Sequence, residues 1–189
     1  MFDRHPAFTL IELLVVVVVI AILAAIAIPN FLEAQTRAKI SRVKADLRTI
    51  ATAIESYAVD HNDVPPDYDG LGFTFGEGEW RSYADLTTPV AHLTAAPTDV
   101  FRDNIYGNAP GRHEFFEYWG LNPEGFPDSY AAWQESGVRW FVYSVGPDRS
   151  NDRLPLFVEE ANPDRVYDPT NGTVSAGDIG RSNRGPMPE

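Results

Sequence analysis

Cysteine is absent from the 189 residues. Disulfides and thiolate metal sites are therefore excluded, and the absence is compatible with an oxidising compartment. Lysine is absent beyond Lys44. From Thr49 to the end, 23 Asp and Glu face nine Arg, a balance of −14 within a whole-chain charge of −12. Such a surface repels nucleic acid, so nucleic acid is not an expected partner. Histidine is confined to His5, His61, His92 and His113, with no H-x-x-x-H or H-E-x-x-H spacing, which argues against zinc. There is no G-x-S-x-G element, phosphate-cradling glycine loop or Cys–His pairing, and an enzyme is not expected.

What the chain does have is one long apolar run. Leu13–Ile28 is drawn only from Ala, Val, Ile and Leu, and Phe8–Ile11 extends it to roughly 20 residues, interrupted by Glu12. At about 1.5 Å per residue, a helix of that length spans a bilayer core. A cleaved secretory signal needs a shorter apolar run and an A-x-A-like site after it; this run ends in Ile28-Pro29-Asn30. An ordinary membrane anchor fits the apolar residues but leaves Glu12 unexplained, because a carboxylate in lipid is costly unless it is paired or reaches the interface.

Ala7-Phe8-Thr9-Leu10-Ile11-Glu12, followed by the apolar run and Pro29, resembles the type III signal of type IV pilins and type II secretion pseudopilins. The resemblance implies that Met1–Ala7 is a leader cut off by a prepilin peptidase between Ala7 and Phe8, and that the new Phe8 amine is methylated. Ala7 stands where the family usually has Gly. The resemblance also gives Glu12 a partner, the N-terminal amine of a neighbouring subunit. Two opposite charges held together in low dielectric lose much of the penalty each carries alone. Glu12 is then an assembly determinant.

Beyond Pro29, which removes one backbone hydrogen bond, helical periodicity resumes. Ile40, Val43, Leu47, Ile50, Ile54 and Tyr57 alternate spacings of three and four, an apolar stripe on one face. It stops at Asp60-His61-Asn62-Asp63, so the reading is one helix of about 50 residues, on the order of 75 Å. The expected organisation is a leader (1–7), a transmembrane and assembly helix (8–29), an amphipathic second half (30–60) and a globular domain (61–189). Asn62–Trp80 reads as irregular, Ser82–Thr94 as a short helix, and Tyr106–Gly137 as loop-rich. Val138–Val145 is the best strand; Leu156–Glu159, Arg165–Tyr167 and Thr173–Ser175 are weaker ones. Strands arriving after one long helix argue an α+β fold with a small antiparallel sheet and extended loops. Trp80, Trp119, Trp133 and Trp140 are read as core in preference to a carbohydrate platform.

Two C-terminal loops stand out. Ser144-Val145-Gly146-Pro147-Asp148, followed by Asn151-Asp152, and Gly177-Asp178-Ile179 resemble loops of pseudopilin G that fold around one calcium ion, and Pro97–Phe101 resembles a segment of the same family. Ca²⁺ takes six to eight oxygens, and Asp148, Asn151, Asp152 and Asp178 are the candidate ligands. Asp, Asn, Gly and Pro are also what turns require, and that reading stays open.

The resemblance implies a structural subunit that polymerises into the periplasmic filament of a type II secretion system. Its partners would be other copies of itself, minor pseudopilins, the inner-membrane assembly machinery and the prepilin peptidase. It would be a single-pass inner-membrane protein with its domain in the periplasm. Counting charges gives the opposite orientation: the leader offers Arg4, while Arg37, Lys39, Arg42, Lys44 and Arg48 follow the helix. Two alternatives are a type IV pilin of a surface fibre and a membrane-anchored periplasmic binding protein or enzyme.

Overall fold

The computed structural model describes residues 9–68, 77–102, 114–120, 135–150, 166–170, 175 and 177–186. The first element is α1, Leu10–His61, a single 52-residue helix. Thr9 caps it from extended backbone and forms a capping box with Glu12. Pro29 lies inside and does not end it; the cost is the bond that the carbonyl of Ala25 would have accepted. Asn62 closes it in the left-handed region, φ 57°, which Asn tolerates better than most residues. Pro65-Pro66 then prevents the helix from resuming.

The two halves of α1 have different surroundings. Leu10–Leu32 is exposed almost throughout, with Leu10, Ile11, Leu23 and Phe31 each more than 60 % accessible. The stripe read from the sequence is buried, with Val43, Ile50 and Ile54 fully so. Each such aliphatic side chain stabilises the packing by on the order of 2 kcal/mol. The partly buried Tyr57 extends the stripe by one turn.

Against this stripe lie α2, Glu77–Thr87, and a four-stranded antiparallel sheet. Its strands are β1 (Glu117–Gly120), β2 (Trp140–Ser144), β3 (Ile179–Ser182) and β4 (Gly185–Pro186), in spatial order β1-β2-β3-β4. Register pairs Tyr118 with Val142 and Val142 with Arg181. Alternation sends Trp140, Val142 and Ile179 into the main core with the helix, while Phe141 and Tyr143 stack in a second cluster with Trp119, Val138 and Val166.

The polar tips of the large core residues are satisfied. Trp140 Nε1 donates to Glu55 Oε1 at 2.7 Å, Tyr118 Oη to the Pro65 carbonyl at 2.8 Å and Tyr83 Oη to the Phe116 carbonyl at 3.1 Å. A methyl group on Gly120 would stand 2.9 Å from the Pro65 oxygen, so that glycine lets the chain after α1 lie against β1. Arg102 and Glu117 form a buried ion pair, with side chains 2 % and 4 % accessible. His92 packs edge-on to Tyr57 and His61, its Nε2 3.7 Å from Asp60 Oδ2, and so holds the segment after α2 to the end of α1.

The α+β expectation is met, with differences in detail. The second helix begins at Glu77, inside the stretch read as irregular, and stops at Thr87, ahead of Pro89. β1 lies in the stretch read as loop-rich. Its Glu117 and terminal Gly120 hide the strand pattern, and its partner is 20 residues further on. β3 begins at Ile179, the last residue of the Gly177-Asp178-Ile179 element, and β4 follows it; there glycines and arginines replace the usual β-branched residues. Trp140 is core and Trp119 half-buried. The side chain of Trp80, all of Trp133, and Leu156–Glu159 lie outside the described residues.

Candidate functional site

Two places carry the residues singled out from sequence. The first is the start of α1. Ala7 and Phe8 lie outside the described residues; Thr9 and Glu12 are described. Glu12 Oε2 accepts from the Thr9 amide at 2.8 Å and from the Thr9 hydroxyl at 2.7 Å, and the Glu12 amide donates back to Thr9 Oγ1 at 3.3 Å. Thr-x-x-Glu ahead of an apolar run is the sequence signature of a capping box. It gives Glu12 a partner within its own chain, besides the neighbouring amine that the resemblance implies. Within a single chain the box satisfies donors that a helix start leaves open and fixes the carboxylate over the first turn. The whole arrangement is exposed, so Glu12 remains open to a second partner.

The second place is where the C-terminal loops meet. Asp99 organises its floor. Its Oδ1 accepts from the Phe101 amide at 3.0 Å and its Oδ2 from the Val145 amide at 3.3 Å, while its own amide donates to the Glu114 carbonyl at 2.7 Å. Burial pushes its carboxyl above the usual range, and the hydrogen bonds from Phe101, Ser144 and Val145 and the nearby Arg102 oppose that rise. Sequence reasoning noticed Pro97–Phe101 but not this role. The signal was an Asp two residues before an amide it can cap.

Immediately after Val145 the loops touch backbone to backbone. Gly146 has φ +72°, and a methyl group there would fall 2.3 Å from the Gly177 carbonyl oxygen; no other residue fits. Asp148 Oδ2 accepts from the Gly177 amide at 3.2 Å and its Oδ1 from the Ser150 amide at 3.1 Å. Asp178 is fully buried, and its carbonyl accepts from the Tyr167 amide at 3.1 Å. Ser175 Oγ accepts from the Asp168 amide at 3.0 Å. Hydrogen bonds from the Thr170 hydroxyl and amide hold the exposed Asp168 carboxyl below its ordinary range.

The structure thus brings Asp148 and Asp178 into adjoining loops, whereas Asn151 and Asp152 lie outside the described residues. Among the described residues no three His, Asp or Glu side chains form a metal cage, the His61–His92 pair included. The polar groups these loops carry are carboxylate, hydroxyl and carbonyl oxygens, the ligand type that a hard cation such as Ca²⁺ takes in preference to zinc. The two glycines provide the close approach that a shared site would need.

An exposed apolar helix that runs unbroken into a small antiparallel domain, opened by Phe-Thr-Leu-Ile-Glu, defines a pilin-like subunit. The prokaryotic N-terminal methylation motif family matches residues 4–28. The chain is 30 % identical over 122 residues to the type II secretion system core protein G of Pseudomonas aeruginosa, covering 65 % of this chain and 86 % of that one. It is 26 % identical over 127 residues to core protein G of Klebsiella pneumoniae, covering 67 % and 91 %. It is also 37 % identical over 113 residues to the type IV major pilin protein PilA of Myxococcus xanthus, and there it spans about half the length of the relative. No solved structure matches the chain. The chain belongs to the type II secretion system core protein G family, the pseudopilins, and its apolar helix is long enough to anchor it in a membrane.

Proposed function

We propose that this chain is cut between Ala7 and Phe8, methylated at Phe8, and polymerised into the periplasmic filament of a type II secretion system. In this reading the domain faces the periplasm until assembly. The observation that carries it is α1: its Leu10–Leu32 half is exposed and has no cover among the described residues. The membrane supplies that cover before assembly, and the helices of other copies supply it afterwards. Glu12, fixed by Thr9, then offers its carboxylate to the Phe8 amine of the next subunit. Minor pseudopilins, the inner-membrane assembly machinery and a prepilin peptidase complete the set of partners, and the role is structural, with no catalytic step. Where Gly146 and Gly177 meet, Asp148 and Asp178 would hold Ca²⁺, with Asn151 and Asp152 as further ligands.

The experiment is mass spectrometry of the membrane-bound chain from cells that have prepilin peptidase. It should show loss of residues 1–7 and one added methyl on Phe8; an intact Met1 refutes the reading and favours a simple anchor. Glu12→Val should still insert and be processed but should not polymerise. The similarity to the Myxococcus type IV major pilin supports a second reading, a surface fibre. Filaments recovered by shearing intact cells would favour it.

A further inference from the structure

Beyond its apolar half, α1 gathers five cations within twelve residues: Arg37, Lys39, Arg42, Lys44 and Arg48. Glu33 and Asp46 are the acids of residues 31–48, so that segment carries +3, against −14 for everything from Thr49 onward. Lys44 is half-buried over the Tyr167 ring at 6.0 Å. The three arginines are exposed. Arg37 and Arg42 make ion pairs one helical turn away, with Glu33 and with Asp46 at 3.6 Å, on the open helix surface where such pairs are weak and exchangeable. Arg48 has no ion-pair partner among the described residues.

At about 100° per residue, Arg37 and Arg48 fall on one flank of the helix's solvent side and Arg42 on the other. The hydroxyls between and beside them turn inward: Ser41 donates to the Arg37 carbonyl and Thr49 to the Ala45 carbonyl. What this surface presents outward is a collar of guanidinium groups around small residues.

Two anionic surfaces compete for such a collar, lipid headgroups and protein carboxylates. Heights along the helix decide between them. Measured from Leu32, the last of the large exposed apolar residues on α1 before the domain begins, Arg37 stands about 7.5 Å up the axis, Arg42 about 15 Å and Arg48 about 24 Å. A headgroup layer is about 5–8 Å thick, and screening reaches about 8 Å further at physiological salt. Lipid therefore accounts for Arg37 and leaves Arg48 out of range.

We propose that the collar is the docking surface for the acidic domain of a second copy of this chain. The inference rests on the filament reading above. Domains of −14 repel one another when packed side by side, and the collar is the complementary surface the same chain supplies. It places each domain against a neighbour's helix and resists domain-to-domain contact in any other register.

The test uses the full-length chain in cells that assemble filaments. Polymer from the parent chain is measured first; its absence would overturn the filament reading and this inference together. A photocrosslinking benzoylphenylalanine at Ala45, which is exposed between the arginines, leaves every charge in place. Crosslinked dimers should map to residues 49–189 of the other copy. Attachment only to lipid, or only to the other copy's residues 10–48, overturns the proposal while leaving the filament reading intact. Arg37→Glu, Arg42→Glu and Arg48→Glu combined should lower the polymer fraction roughly tenfold or more, since like charges then face each other, with membrane insertion unchanged. The three Arg→Lys changes should retain polymer. Equal polymer from the Glu and Lys variants would also overturn the proposal.

Discussion

The Arg102–Glu117 pair offers the sharpest test of how the domain is held. Both side chains are almost wholly buried, and Arg102 Nη1 also donates to the Phe115 carbonyl at 2.7 Å. Removing one partner leaves a buried charge without its ion-pair partner, so Glu117→Leu and Arg102→Met should each destabilise by about 3–5 kcal/mol. Removing both leaves two apolar side chains of similar volume. The desolvation cost disappears with the charges, and the residual loss is the bond to Phe115, about 1 kcal/mol. For a domain of this size, about 3–5 °C of melting temperature accompanies each kcal/mol. The single variants should therefore fall by about 9–25 °C and the double variant by about 3–5 °C. The assay is thermal unfolding of the full chain in detergent, followed by near-ultraviolet circular dichroism. A double variant that melts as low as the sum of the singles would refute the reasoning, because two independent losses would then be at work. Raising NaCl should change none of these differences, since a buried pair is scarcely screened.

Two further outcomes follow from the same structure. If Asp148 and Asp178 hold calcium, Ca²⁺ at a hundredfold excess over its Kd should stabilise the folded chain by about 2.7 kcal/mol, and Asp148→Ala and Asp178→Ala should each abolish the gain; identical melting in chelator and in Ca²⁺ would return both residues to turn duty. Tyr68 donates to Asp85 Oδ2 at 2.8 Å, and burial together with that carboxylate pushes its phenol up to about 12. Its contribution is whole below the free phenol value near 10 and is lost as pH rises through about 12. Tyr68→Phe should flatten stability over that window, and ultraviolet titration of the parent should show a late-ionising tyrosine that the variant lacks.

The long helix was legible in sequence because its signals are local and repeated. The apolar run, the three-four stripe from Ile40 to Tyr57 and the stop before Pro65 each depend on neighbours in the chain. β2 was legible for the same reason, four consecutive β-formers, Trp140 to Tyr143, in a stretch between glycines. β1 and β3 were not, since their residues owe their state to partners 20 or more positions away and their glycines and charges speak against a strand. At the start of α1 the Thr9–Glu12 box is written plainly in the spacing, Thr-x-x-Glu ahead of an apolar run. Asp148 and Asp178 were marked by resemblance, but their meeting depends on Gly146 and Gly177 touching, a contact between residues 31 apart. Asp99, which pins the loop before β1 to the end of β2, is a short polar residue two positions after a proline, indistinguishable by pattern from any turn.

The passage of α1 through Pro29 without interruption makes the membrane segment and the domain one rigid shaft. Axial position and rotation are then geared together. Each residue added between Ile28 and Ile40 would lift the domain by about 1.5 Å and swing it by about 100°. One inserted residue would thus aim the sheet away from its former direction, while seven, close to two turns, would restore the heading at a height about 10 Å greater. The orientation of every domain is in this sense set at the helix start, where Thr9 and Glu12 fix the first turn.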